Sequence, residues 1–509
     1  MSFPRLAGIL LHPISLPSRG GIGDLGPAAY EFVDFLAAGK QGLWQVLPLG
    51  PPANGTSPYS STSAFAGNPL LISLDRLADR GWIDKARLQD LSQEVRRIDY
   101  GEVSRHKLPL LAEAAGNFLA RSHGNGSVRF DKFCKDNDWW LEDFVLFDAL
   151  RTRYNGQSWK HWPSDLARRT PEALEQARTE LNFDLSLGRV VQFLFYEQWH
   201  ALRAYCARRS IRVVGDIAIF VDYDSADVWA NRDMFRLKYD LEPEVVSGVP
   251  PDAFSSTGQR WGNPLYNWQA MKASNYLWWT RRLRWATQNC DYIRLDHFRG
   301  FAQFWEIPAN DPTAVNGRWV DGPADDLFIT LKQSFGGLPF FAEDLGVITP
   351  DVTALRERHK IPGMAVLQFG FGDPGAHIYL PHRLTPDCVI YTGTHDNDTT
   401  LGWWKSLGEN ERRAVEALVG RCDEEVNWAL IRLAQSSVAE FCLAPLQDIL
   451  GFGSEARLNT PSTQDGNYHW RYQPGSLRDG LAKRLANLAE VTDRLPVPIS
   501  SLQAEDFQA

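Results

Sequence analysis

The chain has 509 residues, of which 44% are hydrophobic and 23% are charged. This length is large for one ordinary domain but fits an α/β barrel with insertions, and the composition is that of a globular protein with an ample core. A formal net charge of −9 argues against nucleic acid as the main partner, because the phosphate backbone requires a basic surface. No apolar run approaches the roughly 20 residues of a membrane span, so we expect no membrane association.

The N-terminal segment, MSFPRLAGILLHPISLP, contains one arginine and a short apolar run that ends in proline. It lacks the small-residue cleavage site of a signal peptide, so it predicts a first strand. The six cysteines are scattered without a CxxC pair. Buried free thiols in a reducing cytoplasm are the interpretation we favour, and the expected location is therefore cytoplasmic.

Short runs rich in Val, Ile and Leu alternate with segments of helical period, which predicts a parallel sheet built from βα units. The candidate strands are Leu6–His12, Leu43–Leu49, Arg212–Val221, Tyr292–His297, Pro339–Leu345, Gly363–Phe369, Cys388–Thr394 and Ala439–Leu446. Eight such strands indicate an α/β fold, a closed (β/α)8 barrel that forms one domain over residues 1–509. Nearly continuous apolar content is typical of strands that are covered on both faces.

The spacing of the candidate strands is uneven and predicts two insertions. The third strand follows the second by far more than the roughly 30 residues of a simple βα unit. Residues 79–187 are charged and helix-rich, so we predict an inserted helical subdomain there. Residues 225–275 are rich in Trp, Pro, Gly and Asn, which predicts long ordered loops, and long loops in a compact domain are usually functional.

Gly21-Ile22-Gly23-Asp24-Leu25-Gly26 matches the letters of a dinucleotide-binding fingerprint. That motif requires glycines directly after a strand and an acidic residue at the end of the next strand. Here the loop 13–20 intervenes, and the next candidate strand ends in LPLGPP, without an acid. The motif therefore predicts a tight turn before a helix, and no nucleotide site.

Carboxylates stand at the ends of three candidate strands, as Asp296, as Glu343 with Asp344, and as Asp396. In a barrel all strands end at one rim, so these side chains are expected to converge there. Arg294 and Asp296 point the same way because side chains alternate along a strand. The guanidinium favours the ionised carboxylate, which suits a nucleophile. An Arg–Asp pair that only closes the barrel is the alternative.

Three convergent acids match the chemistry of glycoside cleavage with retention. One carboxylate attacks the anomeric carbon, a second, protonated one assists the leaving oxygen, and a third supports the developing positive charge. His297 and His395 adjoin two of the acids and have donors for sugar hydroxyls. The 19 Trp, 15 Tyr and 27 Phe are able to stack on sugar rings, but aromatic residues are also the bulkiest core material. A metal site is not predicted, because the cluster lacks HxH or HxxxH spacing.

Further motifs are spread over almost the whole chain, from near residue 8 to about residue 472. They are Ser57-Pro58-Tyr59, residues 63–70 (SAFAGNPL), Asp216-Ile217-Ala218 with Val221, Pro250-Pro251-Asp252, residues 257–264 (TGQRWGNP), residues 294–300 (RLDHFRG), residues 342–346 (AEDLG), His395-Asp396-Asn397 and Asn459-Thr460-Pro461. Together they resemble the signature of the amylomaltases, the 4-α-glucanotransferases or disproportionating enzymes of glycoside hydrolase family 77. The DxAxxV and HDN pieces alone indicate only the wider α-amylase superfamily.

The resemblance implies a role for each acid. Asp296 stands where the family has its nucleophile, Glu343 where it has the acid/base and Asp396 where it has the transition-state stabiliser. This choice prefers Glu343 to Asp344, and Asp396 to Asp398. The implied substrate-binding residues are Tyr59, Asp216, Arg294, His297 and His395 around the cleavage point, Ser57, Trp261, Asp373 and Asn467 along neighbouring subsites, and Gln259 in a loop (250–259) that resembles the family's mobile loop over the cleft.

The implied reaction is transfer of an α-1,4-glucan segment to the 4-hydroxyl of glucose or of another α-1,4-glucan, with no cofactor and no metal. Two alternatives remain open: an α-glucan hydrolase of the α-amylase type with the same acids, and a glucan-binding protein that has lost catalysis. One position departs from the family pattern. Pro461-Ser462-Thr463 stands where Pro-Gly-Thr is expected, so Ser462 replaces a glycine. We therefore expect an altered turn near the acceptor side, close to Asn467.

Overall fold

The computed structural model describes residues 3–89, 91, 95–121, 125–251, 255–372, 374–420, 425–463 and 465–499. Its strands, in chain order, are β1 Leu6–Leu10, β2 Leu43–Gln45, β3 Arg212–Ile217, β4 Val245–Val249, β5 Gln259–Pro264, β6 Tyr292–Leu295, β7 Gln303–Pro308, β8 Arg318–Asp321, β9 Phe340–Ala342, β10 Gly363–Val366, β11 Cys388–Tyr391 and β12 Phe441–Pro445.

Eight parallel strands form the central sheet, in the order β10-β11-β12-β1-β2-β3-β6-β9. The backbone N–H of Ala342 in β9 donates to Pro362 O beside β10 at 2.8 Å, which brings the two edges of the sheet together. The (β/α)8 barrel and all eight predicted strands are confirmed. Each strand ends earlier than predicted, because the following residues turn into rim loops whose amides bond to side chains, as His297 N does to Glu343 Oε2.

The barrel interior has an apolar floor and a polar upper layer. The floor is a buried cluster that includes Leu6, Leu10, Leu43, Val214, Phe341, Met364, Val366, Val389, Phe441 and Leu443. Above it, Tyr391 donates to Gln45 Oε1 at 2.8 Å and Arg294 pairs with Asp216. Burying polar groups is tolerated only when they are hydrogen-bonded, and these pairs meet that condition just below the strand ends.

The helices are α1 Pro27–Ala38, α2 Leu74–Asp79, α3 Tyr100–Arg121, α4 Asn125–Arg153, α5 Ser164–Ala167, α6 Pro171–Glu180, α7 Asn182–Ala207, α8 Ala226–Ala230, α9 Trp268–Ala273, α10 Leu277–Asn289, α11 Arg299–Ala302, α12 Ala324–Phe335, α13 Pro350–Arg358, α14 Thr400–Ser406, α15 Glu409–Val419, α16 Val426–Gln435, α17 Leu446–Leu450 and α18 Asp479–Val491. Among the described residues, no helix is both long and apolar enough to span a membrane.

Between β2 and β3 the chain is mainly helical, from α2 to α7. The long helices α3 and α4 both pack against α7, whose buried face includes Phe193, Tyr196 and Trp199. The boundary expected at residue 187 falls inside α7, because this helix both closes the insertion and returns the chain to the barrel wall. We propose that the helices before α7 form a subdomain of this connection.

A second sheet lies in and after the segment for which we expected long loops. Strands β5, β4, β7 and β8 pair antiparallel in that order. The sheet carries Gln259 and Trp261 to the rim on β5. Residues 252–254 of the loop expected to be mobile (250–259) lie outside the described residues. The other two tryptophans of residues 225–275 contribute to the core: Trp229 is fully buried, and Trp268 packs against the core partly buried.

The Gly21–Gly26 segment is a packed turn. Gly20 and Gly21 have positive φ, and a side chain at Gly23 would lie 1.9 Å from Pro13 O, so glycine is required there. Asp24 is buried and accepts from Lys107 Nζ of α3 at 3.4 Å. This carboxylate is committed to anchoring α3 to the barrel, in keeping with the prediction of a turn.

Arg494, just after α18, binds backbone oxygens at the amino-terminal face of the barrel. Its fully buried guanidinium donates to the carbonyl oxygens of Leu6, Gln435, Ser437, Ala439 and Glu440 at 2.8–3.2 Å. Arg494→Ala removes five charge-assisted hydrogen bonds, although Arg5 still donates to Gln435 O and Ala439 O and Leu6 N to Glu440 O, so we expect the free energy of unfolding to fall by about 3–5 kcal/mol. Urea unfolding measures it. Exposed Lys483 on α18 is the control, and an equal midpoint for Arg494→Ala and Lys483→Ala would contradict the prediction.

Candidate active site

A cleft of about 1500 Å³ lies over the carboxyl ends of the barrel strands. Asp296, Glu343 and Asp396, the three predicted carboxylates, all line it. They follow β6, β9 and β11, strands that are separated in sequence but end at the same rim. The fold therefore brings the three acids into one cleft.

Asp296 is paired with the guanidinium of Arg294, which is also bound by Asp216 deeper in the barrel. Arg294 Nη1 lies 2.8 Å from Asp296 Oδ1, and it donates to Asp216 Oδ1 and Oδ2 at 3.0 and 2.8 Å. Asp216 and Arg294 are register partners on β3 and β6, so their side chains point to the same side of the sheet. Asp216 thus holds the guanidinium of Arg294 in place against Asp296.

Tyr59 and His395 form the wall next to this pair. The Tyr59 hydroxyl donates to Asp216 Oδ2 at 2.7 Å, and its ring stacks on His395 with centroids 5.2 Å apart and planes at 11°. Burial, followed by the nearby carboxylates, raises the pKa of Tyr59 well above its usual range. Burial also lowers the pKa of His395. Tyr59 therefore keeps its proton, and His395 is neutral near pH 7.

Glu343 accepts backbone hydrogen bonds on both oxygens, from His297 N at 2.8 Å and from Leu345 N at 3.1 Å. Burial raises the pKa of Glu343 to about 7, against the opposing effect of Arg294. A carboxyl group that titrates near neutral pH is able both to give and to take a proton at a glycosidic oxygen. Its environment thus differs from that of Asp296 in the way two carboxylates with different tasks require.

Asp344, the acid next to Glu343, is turned away from the cleft. It accepts from Met364 N at 2.8 Å and pairs with Arg356 Nε at 3.0 Å. Both contacts lie at the seam between β9 and β10. Asp344 therefore fastens the barrel and leaves Glu343 as the acid that faces the cleft.

Asp396 is also distinguished from its acidic neighbour by its partners. Its Oδ1 lies 3.3 Å from His395 Nε2 and accepts from Asn459 Nδ2 at 2.5 Å. Asp398 instead accepts from Ser454 Oγ at 2.6 Å and from the backbone N–H of Thr399, the residue that caps α14, at 2.8 Å. Asp396 lines the cleft, whereas Asp398 supports the loop that carries it.

His297 follows Asp296 in a left-handed backbone conformation, with φ of 51°. Burial lowers the pKa of His297 to about 4, so the ring is neutral at neutral pH. Its Nε2 atom has no partner among the described residues. Trp261 packs edge-to-face on the ring at 4.7 Å, which connects the rim sheet to the loop that carries Asp296.

Eight of the ten residues that the resemblance implies for substrate binding line the cleft. The lining set is Ser57, Tyr59, Gln259, Trp261, Arg294, His297, His395 and Asn467. Asp216 is the first exception, because its side chain is 0% exposed beneath Arg294. The second, Asp373, lies outside the described residues.

Asn467 reaches the cleft, but its side-chain amide is hydrogen-bonded to the loop around Ser462, the residue that differs from the family pattern. Its Oδ1 accepts from Thr460 N at 2.9 Å, and its Nδ2 donates to Thr463 O and Oγ1 at 3.0 Å. The amide is therefore committed to the turn in this structure. The wall that this turn forms, more than the amide itself, faces the cleft.

Sequence reasoning missed several cleft residues, among them Phe369, Tyr379, Trp403, Asn459 and Tyr468. Only Asn459 belongs to a motif already noted, Asn459-Thr460-Pro461. No local sequence pattern distinguishes the aromatic residues of the cleft, because many other aromatic residues of this chain are buried in the core. Together they give the cleft apolar walls around its polar floor.

Ser462 adopts φ of 64°, so this turn keeps the left-handed conformation that a glycine would relax. The left-handed conformation costs a residue with a side chain about 1–2 kcal/mol, whereas fixing a glycine costs about 0.5–1 kcal/mol in chain entropy. The first effect is larger, so we expect Ser462→Gly to stabilise the protein by about 0.5 kcal/mol. Gly466 of the same loop, with φ of 81°, is the matched reverse case, and Gly466→Ala is expected to destabilise. Thermal unfolding compares the two, and a lower melting temperature for Ser462→Gly would contradict the expectation.

Comparison with known proteins agrees with this arrangement. The family model described as 4-alpha-glucanotransferase, glycoside hydrolase family 77, matches residues 11–477. The chain belongs to this family. It is 46% identical to a 4-alpha-glucanotransferase of Thermus thermophilus, over 97% of this chain and 100% of that protein. It is 44% identical to the chloroplastic/amyloplastic enzyme of Solanum tuberosum, over 96% of this chain and 87% of the relative.

Solved structures of the 4-alpha-glucanotransferase family show the same architecture. An amylomaltase from Streptococcus agalactiae in complex with acarbose superposes with a TM-score of 0.93 at 36% identity, covering 96% of this chain and 99% of that one. An amylomaltase from Corynebacterium glutamicum shares the fold with a TM-score of 0.75 at 17% identity, covering 96% and 75%. The chain is thus a glycosyl-transferring enzyme of family 77, and the α-amylase-type hydrolase alternative is less supported.

Proposed function

We propose that this chain moves segments of α-1,4-glucans onto the 4-hydroxyl of glucose or of another α-1,4-glucan, with retention at the anomeric carbon, through a covalent glycosyl-enzyme on Asp296. The observation that carries the proposal is the unequal environment of two acids in one cleft. Asp296 is paired with Arg294, whereas burial raises the pKa of Glu343 to about 7. Retaining transfer needs one carboxylate that attacks and a second carboxyl group that supplies a proton.

The first step breaks the glycosidic bond. Glu343 gives its proton to the glycosidic oxygen while an Asp296 oxygen bonds to the anomeric carbon, and the C–O bond to the leaving sugar breaks. The leaving glucan carries the proton away as its 4-hydroxyl. Glu343 is left as a carboxylate, stabilised by the His297 and Leu345 amides.

The second step reverses the first with a new partner. The ionised Glu343 takes the proton from the 4-hydroxyl of an incoming sugar, whose oxygen attacks the anomeric carbon and displaces Asp296. Two inversions give overall retention. Arg294 balances the returning negative charge on Asp296, and Asp216 with Tyr59 keeps Arg294 in place.

Asp396 and the neutral imidazoles of His297 and His395 are suited to hold sugar hydroxyls. A carboxylate accepts hydrogen bonds from hydroxyls and counters the positive charge of an oxocarbenium-like transition state. A neutral imidazole donates through one nitrogen and accepts through the other. We propose that Asp216 acts on the sugar only through Arg294 and Tyr59, because its own side chain is buried.

Transfer exceeds hydrolysis only if a sugar, not water, reaches the covalent intermediate. The apolar walls from Phe369, Tyr379 and Trp403, with Trp261 at the rim, favour an occupant with apolar ring faces over free water. The proposal for acceptor choice therefore depends on the cleft walls more than on the three acids.

Incubation with maltotriose tests the proposed function. We expect free glucose together with a ladder of longer oligosaccharides, while the number of reducing ends stays constant, because each bond broken is replaced by one formed. Chromatography measures the ladder and a reducing-end assay the total. A steady rise in reducing ends would identify a hydrolase and contradict the transfer proposal.

A further inference from the structure

Residues 457–459 hold the loop that carries Asp396 through several hydrogen bonds. Arg457 Nη2 donates to the backbone oxygen of Asp396 at 2.7 Å, and Asn459 N donates to His395 O at 3.1 Å. Arg457 Nε also donates to Asn459 O at 2.8 Å, which joins the two residues to each other. Main chain and side chain of Asp396 are thus held by the same short segment.

The hydrogen bonds to the Asp396 carboxylate are unevenly divided between its oxygens. Oδ1 accepts from Asn459 Nδ2 at 2.5 Å and lies 3.3 Å from His395 Nε2. Within the described part of the chain, Oδ2 accepts no hydrogen bond, although the side chain is 40% exposed to the cleft. The Asn459 donor holds one oxygen of the carboxylate, with His395 Nε2 close to it, and leaves the other oxygen for a ligand hydroxyl.

Residues 457–459 are themselves anchored to the edge of the helical insertion. Tyr468 N donates to Leu458 O at 2.7 Å, and the Tyr100 hydroxyl at the start of α3 donates to Tyr468 O at 2.8 Å. Ile98 N also donates to His469 O at 2.8 Å. Tyr468 is held in a left-handed conformation, with φ of 61°, and such strain persists only where surrounding contacts impose it.

We propose that Asn459 is a positioning residue for glycosyl transfer: its amide fixes Asp396 so that Oδ2 faces the sugar at the cleavage point. Tyr468 supports residues 457–459 through its hydrogen bond to Leu458 O. The inference rests on the proposed function, because it assigns a task to Asp396 in the transfer reaction. Asn459 itself touches the carboxylate and not the reacting atoms.

Three variants test the proposal, with maltotriose transfer measured from pH 5 to pH 8 and thermal unfolding of each protein recorded. Asn459→Ala removes the donor, and we expect kcat to fall about 10- to 100-fold at every pH, the effect of one hydrogen bond to a charged group. Tyr100→Phe loosens the same segment without touching Asp396. For it we expect a lower melting temperature and a kcat within about threefold of the wild type.

Asn459→Asp tests the role of the donor through the pH dependence of kcat, which a general loss of rigidity in this segment would leave unchanged. It keeps the shape but places a second carboxyl against Asp396, and two carboxylates at hydrogen-bonding distance share a proton. The pair is held correctly only while the new group is protonated. We therefore expect the ratio of variant to wild-type kcat to fall as pH rises. The ionisable groups that face Asp396 are His395, Arg457, Tyr468 and, across the cleft, Asp296 and Arg294, and both variants retain them.

A folded Asn459→Ala with kcat within twofold of the wild type would overturn the proposal. So would an Asn459→Asp whose ratio to wild type is constant across the pH range, because the effect would then not depend on a donor to Asp396. The wild-type product ladder is recorded in the same experiment. If the wild type itself only hydrolyses maltotriose, the proposed function fails, and this outcome is distinct from equal activity of wild type and variant.

Discussion

Asp296→Asn is expected to lower kcat for transfer from maltotriose by roughly 10⁴-fold or more while the protein remains folded. The amide has the shape of the carboxylate and still accepts a hydrogen bond from Arg294, but it has no charge with which to attack the anomeric carbon. Transfer rates from the product ladder and thermal unfolding of the same samples measure the two expectations.

Asp344→Asn is the matched control, because it removes a carboxylate from the adjacent rim strand without changing the cleft acids. The Arg356 pair at the seam of the barrel is lost, so we expect the free energy of unfolding to fall by about 3 kcal/mol. At a temperature where this variant is folded, its kcat should lie within about tenfold of the wild type. Equal transfer rates for Asp296→Asn and Asp344→Asn would show that Asp296 is not the nucleophile.

Glu343→Gln is expected to lower kcat/KM for maltotriose by roughly 10³-fold and to remove the alkaline limb of its pH profile. Because burial raises the pKa of Glu343 to about 7, the proton needed by the leaving oxygen is present below that pH and lost above it. Wild-type kcat/KM should therefore fall about tenfold per pH unit above pH 7. Glutamine does not titrate, so the residual rate of the variant should be constant there.

A donor that needs no acid separates this role from mere distortion of the cleft. An α-glucosyl fluoride leaves as fluoride without a proton, so Glu343→Gln should retain at least a tenth of the wild-type rate of fluoride release in a single turnover. A loss of fluoride release as large as the loss with maltotriose would mean that the substitution damages the site in some other way.

The barrel was predictable from sequence because its strands are continuous apolar runs, covered on both faces, that read differently from the helices between them. The antiparallel sheet β5-β4-β7-β8 was not. Its strands are short, partly exposed and interrupted by glycine and proline, as in Gln259–Pro264, so they have the composition of loops. Pairing with distant strands, such as β4 with β7, makes them strands.

At the site, alternation along β6 predicted the Arg294–Asp296 pair, but sequence alone did not separate the paired acids. Glu343 and Asp344 both follow Ala342 at a strand end, where alternation no longer holds. In the structure, Arg356 and Met364 bind Asp344, whereas Glu343 lines the cleft. The contact from Asn459 to Asp396 spans 63 residues, and no local pattern encodes it.

The most direct test of the account is to isolate the covalent intermediate. Glu343→Gln, given an α-maltotriosyl fluoride and no acceptor, should complete the first step but lack the base for the second, so the glycosyl-enzyme accumulates. After acid quenching and peptic digestion, mass spectrometry should find the peptide that contains Asp296 heavier by one maltotriosyl group. A label on another residue, or fluoride release with no labelled peptide at all, would contradict the assignment of Asp296 and the double-displacement mechanism.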